Sequence, residues 1–90
     1  SPTVAAYAAA KSGLLILTRT AAATEAGTGV TVNMVSPGLI RGGRLPRGVK
    51  ASPRSLGRPE DIAAAVRYLV SDEAAAVTGT DLLVAATWKM

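Results

Sequence analysis

Tyr7 and Lys11 are the pair in this chain best suited to acid–base chemistry. They stand four residues apart in Tyr7-Ala-Ala-Ala-Lys11, so on a helix both side chains share one face. A phenol, with a reference pKa of about 10, neither gives nor takes a proton readily near neutrality. A neighbouring ammonium favours the phenolate and brings the group toward the working range. A tyrosine so placed can pass a proton to or from a substrate oxygen. The same spacing also arises by chance on helices that do no chemistry. The pair therefore needs support from the elements around it.

Composition removes several alternatives. Ninety residues make one small domain or a piece of a larger one. A hydrophobic content of 49% argues against disorder. Much of it is alanine and there is no phenylalanine, so large core-filling side chains are scarce. The chain has no cysteine, which excludes disulfides and thiolate metal sites within it and fits a cytosolic protein. It has no histidine either, so it holds no Ser-His-Asp or Cys-His site of its own. The net charge is +4. Arg41, Arg44, Arg47, Lys50, Arg54 and Arg58 cluster, but no aromatic residue lies among them to stack on bases. The cluster is expected to be a solvated loop near an acidic cofactor or partner, not a nucleic-acid face. The longest strongly apolar run, Leu14 to Leu17, is far too short to span a membrane. No signal peptide is visible, and a cytoplasmic location is expected.

The elements that must position the pair follow from pattern. Val4 to Gly27 is dense in alanine, the strongest helix former, and Ser1 or Thr3 is available as a cap. Ala10, Leu14, Leu17 and Ala21 repeat with the spacing of a buried stripe. Leu15 and Ile16 point elsewhere, so the helix is apolar on a second side. That predicts a core on one flank and a further part of the domain, or a subunit contact, on the other. Gly27-Thr28-Gly29 is a helix stop. Val30 to Val35 is rich in β-branched residues and predicts a strand ended by Ser36-Pro37-Gly38, covered on both faces like a parallel strand. A long Gly/Pro/basic loop follows to about residue 57. A second helix is expected from Pro59 to Ser71, with Ile62, Val66, Leu69 and Val70 as its apolar stripe and Arg67 away from it. A turn at Thr78-Gly79 leads to a second strand, Asp81 to Ala85. Helix, strand, helix, strand predicts a parallel βαβ unit. No G-x-G-x-x-G fingerprint is present.

Taken together these residues resemble the C-terminal part of a short-chain dehydrogenase/reductase, with the nearest likeness to the β-ketoacyl carrier-protein reductase type. Tyr7-Ala-Ala-Ala-Lys11 resembles that family's Tyr-x-x-x-Lys. Thr31-Val32-Asn33-Met34-Val35-Ser36-Pro37-Gly38 is similar to its strand and Pro-Gly turn. Gly57-Arg58-Pro59-Glu60-Asp61-Ile62-Ala63 resembles its late helix start, and Ser71-Asp72 with Val77-Thr78-Gly79 the run into its last strand. The resemblance implies an α/β fold: the C-terminal α-β-α-β portion of a doubly wound, Rossmann-like parallel sheet. It implies residues 1–90 as a C-terminal fragment of one domain whose dinucleotide-binding half is absent. It also implies hydride transfer between NADP or NAD, with NADP favoured, and a carbonyl or alcohol substrate. In that reading Tyr7 is the acid–base, and Lys11 holds the nicotinamide ribose and depresses the Tyr7 pKa. Pro37 and Gly38 pass beside the nicotinamide, and the backbone of Ile40 contacts its amide.

The departures are specific. The family's catalytic serine lies about a dozen residues before its tyrosine, and only six residues precede Tyr7, so Ser1 does not take that role. The phosphate-binding glycine loop also lies upstream in the family. Gly42 stands where a threonine often bonds the carboxamide. Ala86 and Thr87 stand where the last strand commonly ends in Gly-Gly. The expectation is a chain that is inactive alone. It pairs with a missing N-terminal half or a homo-oligomeric partner. The alternative is a non-catalytic oligomerisation or partner-binding module derived from such an enzyme.

Overall fold

The computed structural model describes residues 2–38 and 56–85. Among the described residues four regular elements follow one another: α1 (Pro2–Thr24), β1 (Met34–Pro37), α2 (Pro59–Leu69) and β2 (Asp81–Val84). A single 3-10 turn, Asp72–Ala74, separates α2 from β2.

α1 starts at Pro2, so Thr3 lies inside the helix and does not cap it. Proline is tolerated there because the first-turn N–H groups have no intrahelical acceptor. The helix stops three residues short of Gly27. Gly27 and Gly29 hold φ of 82° and 86°, a left-handed conformation that ends helices and that side chains disfavour. Between them the Thr28 hydroxyl donates to the Glu25 carbonyl at 2.7 Å, fixing the reversal.

The expected stripe of α1 is not the one that is buried. Ala10, Leu14 and Leu17 are exposed and Ala21 is half-buried. The covered stripe is instead Lys11, Leu15, Thr18, Ala22 and Glu25, with Thr18 and Ala22 fully buried. Their spacing of four, three, four and three residues is equally helical, so periodicity alone does not choose between the two faces. Packing chooses. Ala22 meets the turn before β2, where its Cβ lies 3.4 Å from the place a Cβ would occupy on Gly79. Only a small residue allows that approach. The Thr18 hydroxyl is satisfied within the helix by the Leu14 carbonyl at 2.8 Å.

β1 and β2 pair in parallel, in register from Met34↔Asp81 to Pro37↔Val84. The strand lies later than the sequence predicts: Ser36 and Pro37 belong to β1, and Val30–Asn33 precede it. The approach is held by side chains instead of by a ladder. Val32 N–H donates to Thr78 Oγ1 at 3.0 Å. Asn33 donates through Nδ2 to the Val77 carbonyl at 3.0 Å and accepts the Thr80 N–H through Oδ1 at 3.1 Å.

α2 begins at Pro59 after an extended Arg58. The Asp61 carboxylate accepts the Arg58 backbone N–H at 2.8 Å and its guanidinium at 3.2 Å, which closes the helix start. The Arg58 backbone N–H holds the Asp61 carboxyl below the usual carboxylate range, and the Arg58 side chain adds to this. The helix ends at Leu69, before the expected Ser71. Ile62 and Leu69 of its predicted stripe are half-buried, but Val66 and Val70 are exposed, because among the described residues the sheet offers two strands for them to cover. The core is correspondingly small. Ala22, Met34, Ala74 and Ala85 are its buried apolar members among the described residues, joined by Thr18 and Ser36.

Candidate active site

Lys11 begins the covered stripe of α1, and Tyr7, one turn before it, shares its helix face but is exposed. Lys11 is half-buried and Tyr7 is 64% exposed. The pair therefore sits on the face whose later turns carry Leu15, Thr18 and Ala22. Lys11 lies where cover begins, and Tyr7 one turn beyond it.

Distances along the two elements follow from backbone rise. Ala22 is level with Gly79, whose N–H donates to the Val32 carbonyl at 2.7 Å. α1 leads into β1 through the turn at Gly27–Gly29 and the segment 30–33. Fifteen helical residues from Ala22 back to Tyr7 span ~22 Å. Six strand residues from Val32 forward to Gly38 span ~20 Å. Tyr7 and the Pro37–Gly38 step thus lie ~22 Å and ~20 Å along their own elements from the contact of Ala22 with Gly79. Open α/β sheets bind ligands at the carboxyl ends of their strands, where the Pro37–Gly38 step lies.

Pro37 is exposed and Gly38 half-buried. The Gly38 N–H donates to the Val84 carbonyl at 2.8 Å, so the step just past β1 is tied to the last residue of β2. Behind it the buried Ser36 hydroxyl donates to Asp81 Oδ1 at 2.5 Å. Sequence reasoning did not single out Asn33, Thr78, Ser36 or Asp81 as supports. One signal was available: an asparagine inside a β-branched run has no apolar reason to be there. Ile40, Gly42, Ser1, Ala86, Thr87 and the basic residues from Arg41 to Arg54 lie outside the described residues. Arg58 is the residue before α2 and is committed to Asp61.

A cleft of about 520 Å³ lies at the other end of the unit, lined by Arg19, Ala22, Glu25, Gly29, Thr31 and Gly79 among others. It is far from Tyr7 along the helix and carries no acid–base pair of the Tyr–Lys kind. Among the described residues no group of carboxylates is placed to hold a metal. None of the described helices is long and apolar enough to cross a membrane.

The family described as enoyl-(acyl carrier protein) reductase matches residues 1–86. The chain belongs to the short-chain dehydrogenase/reductase family. Within that family it is 44% identical to 2-(S)-hydroxypropyl-CoM dehydrogenase 3 of Xanthobacter autotrophicus, over 87% of this chain and 36% of the relative. It is 39% identical to a 3-oxoacyl-acyl-carrier-protein reductase of Synechocystis, over 88% of this chain and 35% of the relative. A solved 4-hydroxyisoleucine dehydrogenase complexed with NADH superposes with a TM-score of 0.75 at 32% identity, covering 94% of this chain and 38% of that one. The chain spans little more than a third of the length of these short-chain dehydrogenases/reductases. Its α-β-α-β order and parallel strand pair are the C-terminal portion of their doubly wound, Rossmann-like sheet.

Proposed function

We propose that the chain is the C-terminal part of one short-chain dehydrogenase/reductase domain. The complete protein then transfers hydride between NADP or NAD and a small carbonyl or alcohol substrate. The observation that supports this reading is the Tyr7–Lys11 pair four residues apart on one face of α1, in a chain whose Pro37–Gly38 step ends the first of two parallel strands. The donor set suits a nicotinamide ribose. A half-buried ammonium offers N–H groups to vicinal hydroxyls, and the exposed phenol is reachable by a substrate oxygen. Bound there, a nicotinamide supplies or accepts the hydride.

The residues of this chain handle the proton and the positioning. In the reducing direction the Tyr7 O–H bond breaks and its proton passes to the carbonyl oxygen as that oxygen gains charge. The products are the alcohol and a phenolate. Lys11, one helical turn along the same face, would hold the ribose of a nicotinamide bound there. Pro37 and Gly38 would border a nicotinamide bound there, and Ile40, which the family resemblance assigns to its carboxamide, lies outside the described residues. Oxidation reverses the sequence, with the phenolate taking the alcohol proton.

The test is reconstitution. The 90-residue chain alone should not oxidise NADPH or NADH with a carbonyl substrate, and a complementing upstream half should restore turnover. Tyr7→Phe should then abolish turnover while circular dichroism stays unchanged. Undiminished turnover in Tyr7→Phe rejects the role given to the phenol.

The exposed flank Ala10–Leu14–Leu17 favours a second reading, in which α1 also serves as a subunit contact. Leu14 and Leu17 are 50% and 63% exposed on adjoining turns. Unpartnered leucines at helical spacing suit helix-on-helix packing. Light scattering that finds a dispersed monomer at high concentration excludes this contact.

A further inference from the structure

Ser36 is the last covered residue of β1. Its face is set by alternation. Asn33 and Val35 line a groove against Val66, Leu69 and Val70 of α2, so Met34 and Ser36 point to the other side of the sheet. Both are buried there, Ser36 with only 3% of its surface exposed. A buried hydroxyl needs a partner, and Ser36 donates to Oδ1 of Asp81, the first residue of β2. The acceptor is a carboxylate, which makes the bond stronger than one between neutral groups. Across the ladder Ser36 stands opposite Leu83, and Asp81 opposite Met34. The bond is therefore diagonal, and it resists sliding of β1 along β2.

The two ends of β1 are held unequally. At the amino end Met34 N–H donates to the Thr80 carbonyl at 2.9 Å, and the adjoining Asn33 side chain bonds to both Val77 and Thr80. At the carboxyl end Pro37 has no N–H, and by the alternation of the ladder its missing donor faces away from β2. Beyond it the Gly38 N–H donates to the Val84 carbonyl at 2.8 Å. Among the described residues Ser36 is the side chain nearest that end to bond across to β2. With strands of four residues each, the carboxyl end is the one that frays when this bond is lost.

We propose that Ser36, through Asp81, is the positioning residue of the Pro37–Gly38 step. Its bond holds the end of β1 at one height on β2 and so fixes where the step meets a bound nicotinamide. This inference deepens the proposed function and rests on its placing of Pro37 and Gly38 beside the nicotinamide.

Amide hydrogen exchange on the 90-residue chain reads this tie directly. Ser36→Ala and Asp81→Ala should each speed exchange at Gly38 by about tenfold but at Met34 by less than about threefold, because Asn33 still holds the amino end. Asp81→Asn keeps an acceptor oxygen and should leave Gly38 near the parent rate. Asp81 is exposed, so its variants keep the test valid if Ser36→Ala folds poorly. Equal acceleration at Met34 and Gly38 marks a bond that serves overall stability alone and overturns the proposal. An unchanged Gly38 overturns it too. The second measurement is NADH binding, followed by fluorescence, after the chain is joined to the complementing upstream half. Ser36→Ala should weaken binding by about tenfold and Asp81→Asn by less than about twofold, the scale of one hydrogen bond lost or kept. Undiminished NADH affinity in Ser36→Ala, with Gly38 loosened, overturns the role at the site. A parent complex that binds no NADH rejects the reductase reading instead, and the exchange rates then decide alone whether Ser36 positions the step.

Discussion

Replacing Asn33 by alanine should destabilise the unit more than its half-buried position suggests. The side chain makes two hydrogen bonds to the segment before β2, to the Val77 carbonyl at 3.0 Å and from the Thr80 N–H at 3.1 Å. Each typical hydrogen bond contributes roughly 0.5–1.5 kcal/mol net. Asn33, Val77 and Thr80 are all half-buried, so water reaches the freed groups in part and the full burial penalty is not incurred. The expected loss is ~2 kcal/mol, the sum of two mid-range bonds. For a domain of this size each kcal/mol lowers Tm by about 4–8 °C, so Asn33→Ala should melt ~8–16 °C lower. Thermal unfolding followed by circular dichroism measures this directly. Asn33→Asp adds a discriminating arm. A carboxylate still accepts from Thr80 but repels the Val77 carbonyl, whereas a protonated carboxyl can donate to it. The folded state thus prefers the protonated form, and its pKa lies above the unfolded value of ~3.9. Stability is fully present below that value and is lost as pH rises through the folded pKa. An Asn33→Ala variant within 0.5 kcal/mol of the parent, or an Asn33→Asp variant whose stability does not fall with rising pH, refutes the clamp; the half-unit threshold is about the scatter of neutral surface changes.

Other outcomes follow from the same contacts. Gly79→Ala should cost about 1–2 kcal/mol for the left-handed backbone, because Gly79 has φ of 74°. It should cost more than Gly29→Ala, since the new Cβ meets Ala22 while nothing stands within 4 Å of Gly29; equal Tm losses contradict this. Asp61 has a depressed carboxyl through Arg58, so its support of α2 is present above the unfolded pKa of ~3.9 and is lost as pH falls through the lower folded value. Asp61→Asn should remove that acid-dependent loss of helix signal, and an unchanged acid titration by circular dichroism contradicts it. Ser36→Ala should cost up to about 1 kcal/mol, the mid-range value of one hydrogen bond, read by denaturant midpoint.

Element types were legible in the sequence because each has a local cause. Alanine density marks α1, Pro59 with Glu60 and Asp61 marks the start of α2, and the β-branched run near Val30–Val35 marks a strand region. The parallel pairing followed from a helix lying between two strand segments. Boundaries were less legible. β1 begins at Met34 and not at Val30, because residues before it are held by Thr78 and Asn33, contacts between positions more than forty apart in the chain. The buried stripe of α1 was misassigned for a related reason. Two faces share helical spacing, and only the contact of Ala22 with Gly79 selects one.

By itself the sequence determined the identity of the acid–base candidates and their shared helix face, since a four-residue spacing needs only helix geometry. It also determined the absence of histidine and cysteine chemistry, which no fold can supply. The tertiary structure alone decided which face of α1 is covered, the one that begins at Lys11 and runs through Thr18 and Ala22. It alone decided that Pro37 turns its missing donor away from β2. Those facts depend on register and packing across the chain, which residue pattern does not encode position by position.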